Sequence, residues 1–206
     1  MELLDYLARN FLTREQLLAA SGIGPARLDA LTQDGKMPQP SYRLRLGVEC
    51  ASFFGEHADE RELRYYASGY PSWIGVLEAT TEEPFAIFAR RYRQGLGALP
   101  LTTSDPKLGP GLETHLHDEW GHFLAGTYGL CTRSGLPEDI AAKELATCVI
   151  RELSGAEDAQ PDLERLRQAI DLLDRASSAF APHERLRSSR HRLVDTLRLR
   201  FGLQAP

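Results

Sequence analysis

The chain has 206 residues, of which 42% are hydrophobic and 26% are charged, with a formal net charge of −5 and a pI near 5.7. This length and composition are typical of a globular protein with a sizeable core and argue against a disordered chain. The net negative charge argues against a protein that coats nucleic acid non-specifically. A local basic surface is still compatible with this net charge.

The cysteines and the N-terminus indicate the compartment. Cys50, Cys131 and Cys148 are widely spaced without a CxxC pair, which is typical of reduced thiols. The N-terminal stretch MELLDYLARNF is amphipathic and acidic, unlike a signal peptide, and no apolar run approaches the roughly 18 residues of a membrane span. We therefore expect a cytoplasmic protein that does not enter a membrane.

Two consecutive helices are predicted near the N-terminus. Thr13 and Gln16 have the spacing of a capping box, so a helix should begin after Thr13 and continue to about Ala20. The segment 21–24 contains two glycines and predicts a turn. Pro25 is suited to the first position of the following helix. Together these signals predict a helix-turn-helix.

A short strand should follow this pair of helices. Residues 35–40 are rich in glycine and proline, and the segment Ser41 to Leu46 alternates polar and apolar residues. The order of elements resembles the N-terminal part of MerR-type winged-helix regulators. The resemblance implies DNA contacts by Arg27 in the second helix and by Arg43 and Arg45 in the wing. The equal numbers of acidic and basic residues in the first fifty positions weaken that expectation.

The rest of the chain reads as successive helices. We expect a mainly all-α protein, with a winged-helix-like module at residues 1–50 followed by an α-helical bundle at residues 51–206. The predicted helices are Glu56 to Glu78 with a break near Pro71, Pro84 to Leu96, Leu112 to Tyr128, Pro137 to Leu153, Asp162 to Phe180 and Glu184 to Leu199.

The segment ETHLHDEWGH, residues 113–122, concentrates groups that bind metals or move protons. On a helix, His115, Glu119 and His122 follow one another at i, i+4 and i+7 and share a face. Imidazole and carboxylate are ordinary ligands of zinc, iron or manganese, so the three residues are candidate ligands of a divalent metal. They are equally candidates for general acid–base catalysis without a metal. The alternative is a solvated polar face with no catalytic role.

Residues after this helix extend the candidate site. Glu144, on the next helix, should point toward the interior of the protein and needs a partner, for which Arg133 or a histidine is suited. Glu144 is then a further catalytic candidate and Arg133 a substrate-binding one, and the alternative is a structural ion pair. The other substrate-binding candidates are Cys131, Trp120 and Tyr128. Cys131 is also a candidate nucleophile, although free cysteines are more often small buried apolar residues.

The predicted C-terminal helix carries an apolar stripe surrounded by six arginines. This surface could contact an acidic partner, a biosynthetic enzyme among them, and the apolar stripe could equally support a homodimer. A solvated face that bridges to acidic helices is the commoner use of such a pattern.

Three segments, FLTREQLLAASGI, PSYRLRL and EWGHFLAGTYGLCTRSGLPEDIAAKE, resemble an uncharacterised bacterial family of natural-product biosynthesis proteins. The resemblance implies a role in secondary metabolism, and with it a small-molecule substrate or ligand. The leading hypothesis is therefore a protein that acts on or binds a small polar molecule in a cleft lined by histidine and glutamate. The alternatives are a MerR-like transcriptional regulator and a non-catalytic partner of a biosynthetic enzyme.

Overall fold

The computed structural model describes residues 2–155 and 162–204, and within them the chain forms ten α-helices and three strands. The strands are β1 (Phe11–Thr13), β2 (Tyr42–Ser52) and β3 (Gly55–Ala67). The helices are α1 (Glu2–Asn10), α2 (Arg14–Ser21), α3 (Pro25–Gln33), α4 (Tyr70–Ala79), α5 (Pro84–Gly97), α6 (Leu112–Leu124), α7 (Thr127–Cys131), α8 (Pro137–Ser154), α9 (Leu163–Ala176) and α10 (Thr196–Phe201).

The prediction of an all-α protein is wrong, because the three strands form an antiparallel sheet in the order β1-β3-β2. The segment 55–67 is predicted to begin a helix, but its residues 55–65 pair with β2 and its residues 65–67 pair with β1. Glutamate, arginine and alanine in this segment favour helix locally, but strand formation depends on the neighbouring strand. The molecule is helix-rich with a small sheet, and the expected domain boundary at residue 50 lies inside β2.

The predicted starts of α2 and α3 are confirmed. The Thr13 side chain accepts from the Gln16 N–H, and the Gln16 side chain accepts from the Thr13 N–H, so the capping box is complete. Pro25 occupies the first turn of α3 as expected. These local signals determine where α2 and α3 begin because they satisfy or remove backbone donors that have no partner at a helix start.

The N-terminal helices share a core with the rest of the chain. Leu17, Leu28 and Met37 are buried in one cluster with Trp73 and Phe123. The Trp73 indole N–H donates to the backbone oxygen of Lys36 at 2.9 Å. These contacts fix α6, which carries the candidate site, against the helical N-terminal region.

A glycine permits the close approach of the segment before β2 to the end of α6. The Gln39 N–H donates to the Leu124 oxygen at 2.9 Å. Gly126, with φ at 80°, follows α6, and a Cβ there would lie 2.6 Å from the Gln39 oxygen. The position therefore admits only glycine without a shift of the backbone.

The C-terminal arginines are partly engaged in ion pairs. Arg198 contacts Asp171 at 2.8 Å and Asp174 at 2.7 Å, and Arg190 contacts Asp174 at 2.6 Å. The single helix predicted from Glu184 to Leu199 is instead a 3₁₀ turn, a π turn and α10.

In the part of the chain that the structure describes, no helix combines the length and apolarity needed to cross a membrane.

Candidate functional site

The site is built on α6, where His115 and Glu119 lie one turn apart on the face that meets the protein interior. Leu116 and Phe123 on the same helix are fully buried, and this apolar stripe orients α6 against α5 and the core. The Glu119 side chain is 7% exposed and that of His115 is 10% exposed. The sequence spacing therefore places both groups together, as predicted, in a largely buried environment.

Two tyrosines extend this pair into a row of four polar side chains. The Tyr128 hydroxyl of α7 donates to Glu119 Oε2. On the other side, the Tyr92 oxygen of α5 lies 3.1 Å from His115 Nε2. His115 Nδ1 is 3.7 Å from Glu119 Oε1. The order Tyr92, His115, Glu119, Tyr128 thus joins three helices around one carboxyl group.

Burial controls the protonation of Glu119. It raises the pKa of this carboxyl to about 7, and the negative charge of Glu144 acts in the same direction. The hydrogen bond from Tyr128 and the charge of Lys107 oppose the shift. Desolvation is the largest effect because a carboxylate loses its hydration when it is buried. Glu119 is therefore present in both protonation states near neutral pH.

The other members of the row are neutral at this pH. Burial lowers the pKa of His115, and the nearby positive charge of Lys107 lowers it further. Burial raises the pKa of Tyr92 and of Tyr128 well above the usual tyrosine range, and Glu119 adds to both shifts. Because Tyr92 keeps its proton, it can donate to His115 Nε2, which leaves the imidazole proton on Nδ1 facing Glu119.

An ion pair between Lys107 and Glu144 lies beside the row. Lys107, in the 3₁₀ turn Pro106–Leu108, donates to Glu144 Oε2 of α8 at 2.7 Å. Burial tends to lower the pKa of Lys107, but the hydrogen bond and charge of Glu144 outweigh it, so the pKa is raised. The side chains of Glu144 and Lys107 are 18% and 30% exposed. This pair is therefore the solvent-facing edge of the cluster.

The remaining candidates on α6 and α7 lie around the row. His122 is exposed, and its ring meets the Tyr128 ring edge-on at 6.4 Å. Trp120 is half-buried and stacks on Phe123 at 5.4 Å within an aromatic cluster. Cys131 is buried in the core. Among the described residues, no group of three or more histidine, cysteine, aspartate or glutamate side chains is arranged to hold a metal ion.

Arg133 is not the partner of Glu144, because Lys107 forms that ion pair. It is exposed and lines a cleft of about 510 Å³, together with Arg9 of α1 and Thr132. No hydrogen bond or ion pair of its guanidinium to another described residue is seen, whereas its backbone N–H donates to the Ala176 oxygen at 2.8 Å. Thr132 connects the cleft to the row, since its hydroxyl donates to the backbone oxygen of Tyr128 at 2.6 Å.

Sequence reasoning did not identify Tyr92 and Lys107. Tyr92 is on a helix 23 residues before His115, and Lys107 is 37 residues before Glu144. Only the packing of α5, α6 and α8 brings these groups together. One local signal was available: Asp105 caps the turn that carries Lys107, and the Asp-Pro-Lys sequence predicts such a rigid turn.

Comparison with known proteins adds one finding. No curated protein and no solved structure matches the chain. A family model described as "Family of unknown function (DUF6058)" matches residues 84–202, a range that contains every member of the row and the Lys107–Glu144 pair and excludes the sheet. Because this match covers more than half of the 206 residues, the chain belongs to that family of unknown function.

Proposed function

We propose that the protein acts on a small polar molecule in bacterial natural-product biosynthesis and uses Glu119 to exchange a proton with it. The observation that carries the proposal is a buried carboxyl group, contacted by His115 and Tyr128, with a pKa raised to about 7. A group that is half protonated at neutral pH serves as either a general acid or a general base. The pathway assignment rests on the sequence resemblance described above.

In this proposal the neighbours of Glu119 have separate roles. Tyr128 holds one carboxyl oxygen by donating to it, so the other oxygen, toward His115, is the one that exchanges the proton. Tyr92 fixes the tautomer of His115. The substrate approaches from the Lys107–Glu144 edge. The ammonium group of Lys107 donates one hydrogen bond to Glu144 there, and its other N–H groups can donate to a substrate oxygen.

Glu119→Gln tests the proposal in a producer strain that depends on this gene or in the reconstituted pathway. We expect product formation to fall by about 10²–10⁴-fold, because the amide keeps the shape and the contact to Tyr128 but cannot transfer a proton. The matched control is Glu113→Gln on the same helix, where the side chain is exposed and paired with Arg93. Full activity of Glu119→Gln, or equal loss in both variants, would contradict the proposal.

The histidines complete this series. His115→Ala is expected to reduce product formation because it removes the contact to Glu119 Oε1. His122→Ala tests the sequence prediction that this exposed residue also belongs to the site. Activity that survives both substitutions would refute a histidine-dependent site.

As a second candidate, we propose a DNA-binding regulator. The order helix, strand, helix, helix and two strands in residues 2–67 is compatible with the winged-helix arrangement, and α3 is exposed along one side. Opposing it, Arg27 is paired with Glu78 at 2.7 Å, so this cation is engaged by the protein itself. Arg43 and Arg45 remain exposed on β2.

Binding to the DNA upstream of the gene tests this second candidate. If the protein is a regulator, Arg43→Ala/Arg45→Ala should weaken binding and reduce the slope of log K against log salt by about 2, since each phosphate contact contributes about 0.9. Equal binding to a scrambled duplex, or binding unaffected by the double substitution, would remove the candidate.

A further inference from the structure

The β2–β3 hairpin extends beyond the body of the molecule as a two-stranded ribbon. Every residue from 47 to 62 is exposed, although the two strands are paired as far as Ser52 and Gly55. The strand β1 covers β3 only at residues 65–67. Because these residues are exposed, the ribbon lacks a covering surface within the described part of the chain. A two-stranded hairpin is only marginally stable in water without further packing.

The turn at the end of the ribbon consists of two exposed aromatic residues. Phe53 and Phe54 form the two-residue turn and are 97% and 96% exposed, with their rings edge-to-face at 5.4 Å. Val48 on β2 is 51% exposed. Exposed aromatic residues at the end of a projecting element are typical of a protein–protein contact.

The edge of the ribbon is self-complementary. In a two-residue hairpin, the residues beside the turn exchange backbone hydrogen bonds, so the odd-numbered residues of β2 direct their N–H and C=O groups to the free edge. Gly47 is one of these residues, and it lies between Arg45 and Glu49. A two-fold axis at Gly47 therefore places Arg45 of each strand directly opposite Glu49 of the other strand.

We propose that two copies of this chain associate through antiparallel pairing of their β2 edges, centred on Gly47. The pairing joins two three-stranded sheets into one and closes the free β2 edge of each copy, which is an isologous contact. It sets Leu46 opposite Val48 on one face and Arg45 opposite Glu49 on the other. It also brings the Phe53–Phe54 turn beside the segment that precedes β2 in the second copy.

The open surface and the charges of the ribbon favour a second copy of this chain over nucleic acid as its partner. Gly47 is exposed and carries no side chain, and the face of the sheet is open there, with no atom within 4 Å of a Cβ built on it, so no side chain of this residue obstructs a second ribbon. Near the turn the ribbon carries four acidic residues, which oppose phosphate and suit the arginines at its base. These acidic residues are Glu49, Glu56, Asp59 and Glu60, and the arginines are Arg43, Arg45, Arg61 and Arg64, with Glu62 among them paired to Arg64 at 2.7 Å.

Charge reversal of the full-length protein tests the proposal by sedimentation and light scattering. We expect the wild type at twice the monomer mass of 23.0 kDa. Glu49→Arg alone and Arg45→Glu alone should each dissociate at least about tenfold more readily, because each places like charges opposite one another. An equimolar mixture of the two variants should form a heterodimer, since every facing pair then has opposite charges.

Two further variants define the contact. Glu60→Arg is the matched control, because Glu60 lies on β3 opposite Gly47 and not on the β2 edge that pairs, and it should leave the dimer intact. Phe53→Ser/Phe54→Ser should weaken the dimer. A monomeric wild type, a dimer that Glu49→Arg leaves unchanged, or a mixture of the two charge variants that stays monomeric would each overturn the proposal.

Discussion

Trp73→Ala is expected to lower the free energy of unfolding by about 3–5 kcal/mol, because it opens a large cavity in a packed aromatic core. Trp73 is fully buried and contacts the rings of Phe123 at 5.0 Å and Trp120 at 6.1 Å. Its indole N–H also bonds the Lys36 oxygen. The side chain thus connects α4, the segment after α3, and α6. Urea unfolding followed by circular dichroism measures the loss.

Trp73→Phe separates packing from hydrogen bonding. Phenylalanine keeps most of the apolar contact but leaves the Lys36 oxygen without its donor, so a loss of about 1–2 kcal/mol is expected. A loss below about 1 kcal/mol for Trp73→Ala would show that the surrounding helices close the cavity and that the N-terminal helices do not depend on this contact.

Glu119→Gln is expected to make the protein more stable than the wild type near pH 8, by about 2–3 kcal/mol, and to bring the two within about 1 kcal/mol of each other near pH 5. The usual pKa of a glutamate is 4.5, and burial raises that of Glu119 to about 7 in the folded chain. Between these values the folded chain keeps a proton that the unfolded chain releases. The free energy of unfolding of the wild type therefore falls as pH rises through this window.

The measurement is urea unfolding of wild type and variant across this pH range. The glutamine side chain can still accept the hydrogen bond from Tyr128, so the substitution removes the titration while keeping the contact. Glu113→Gln, at an exposed position of the same helix, should leave the stability difference between the two pH values unchanged. A wild type whose stability does not fall between pH 5 and pH 8 would contradict the assignment of a raised pKa to Glu119.

The two results bear on different parts of the molecule. Trp73→Ala tests the core that holds α6 in position, whereas Glu119→Gln tests the protonation of the carboxyl group that α6 carries. A destabilised Trp73→Ala protein with an unchanged pH dependence would show that the site is formed by α5, α6 and α7 among themselves. This distinction matters for the proposed acid–base role, because that role depends on the burial of Glu119.

The sequence determined the features that depend on near neighbours. The capping box of Thr13 and Gln16 and the proline at position 25 fixed two helix starts, since the groups involved lie within one turn of each other. The spacing of His115 and Glu119 likewise placed them on one face of α6, because helix geometry alone decides it.

The tertiary structure decided the features that depend on distant residues. Residues 55–67 form a strand because β2, and β1 at residues 65–67, offer them partners, against their local preference for helix. Glu144 meets Lys107, and His115 meets Tyr92, because helix packing brings together groups that are far apart in the chain. The raised pKa of Glu119 has the same origin, since it follows from desolvation by surrounding elements, which the ten residues of the segment ETHLHDEWGH do not encode.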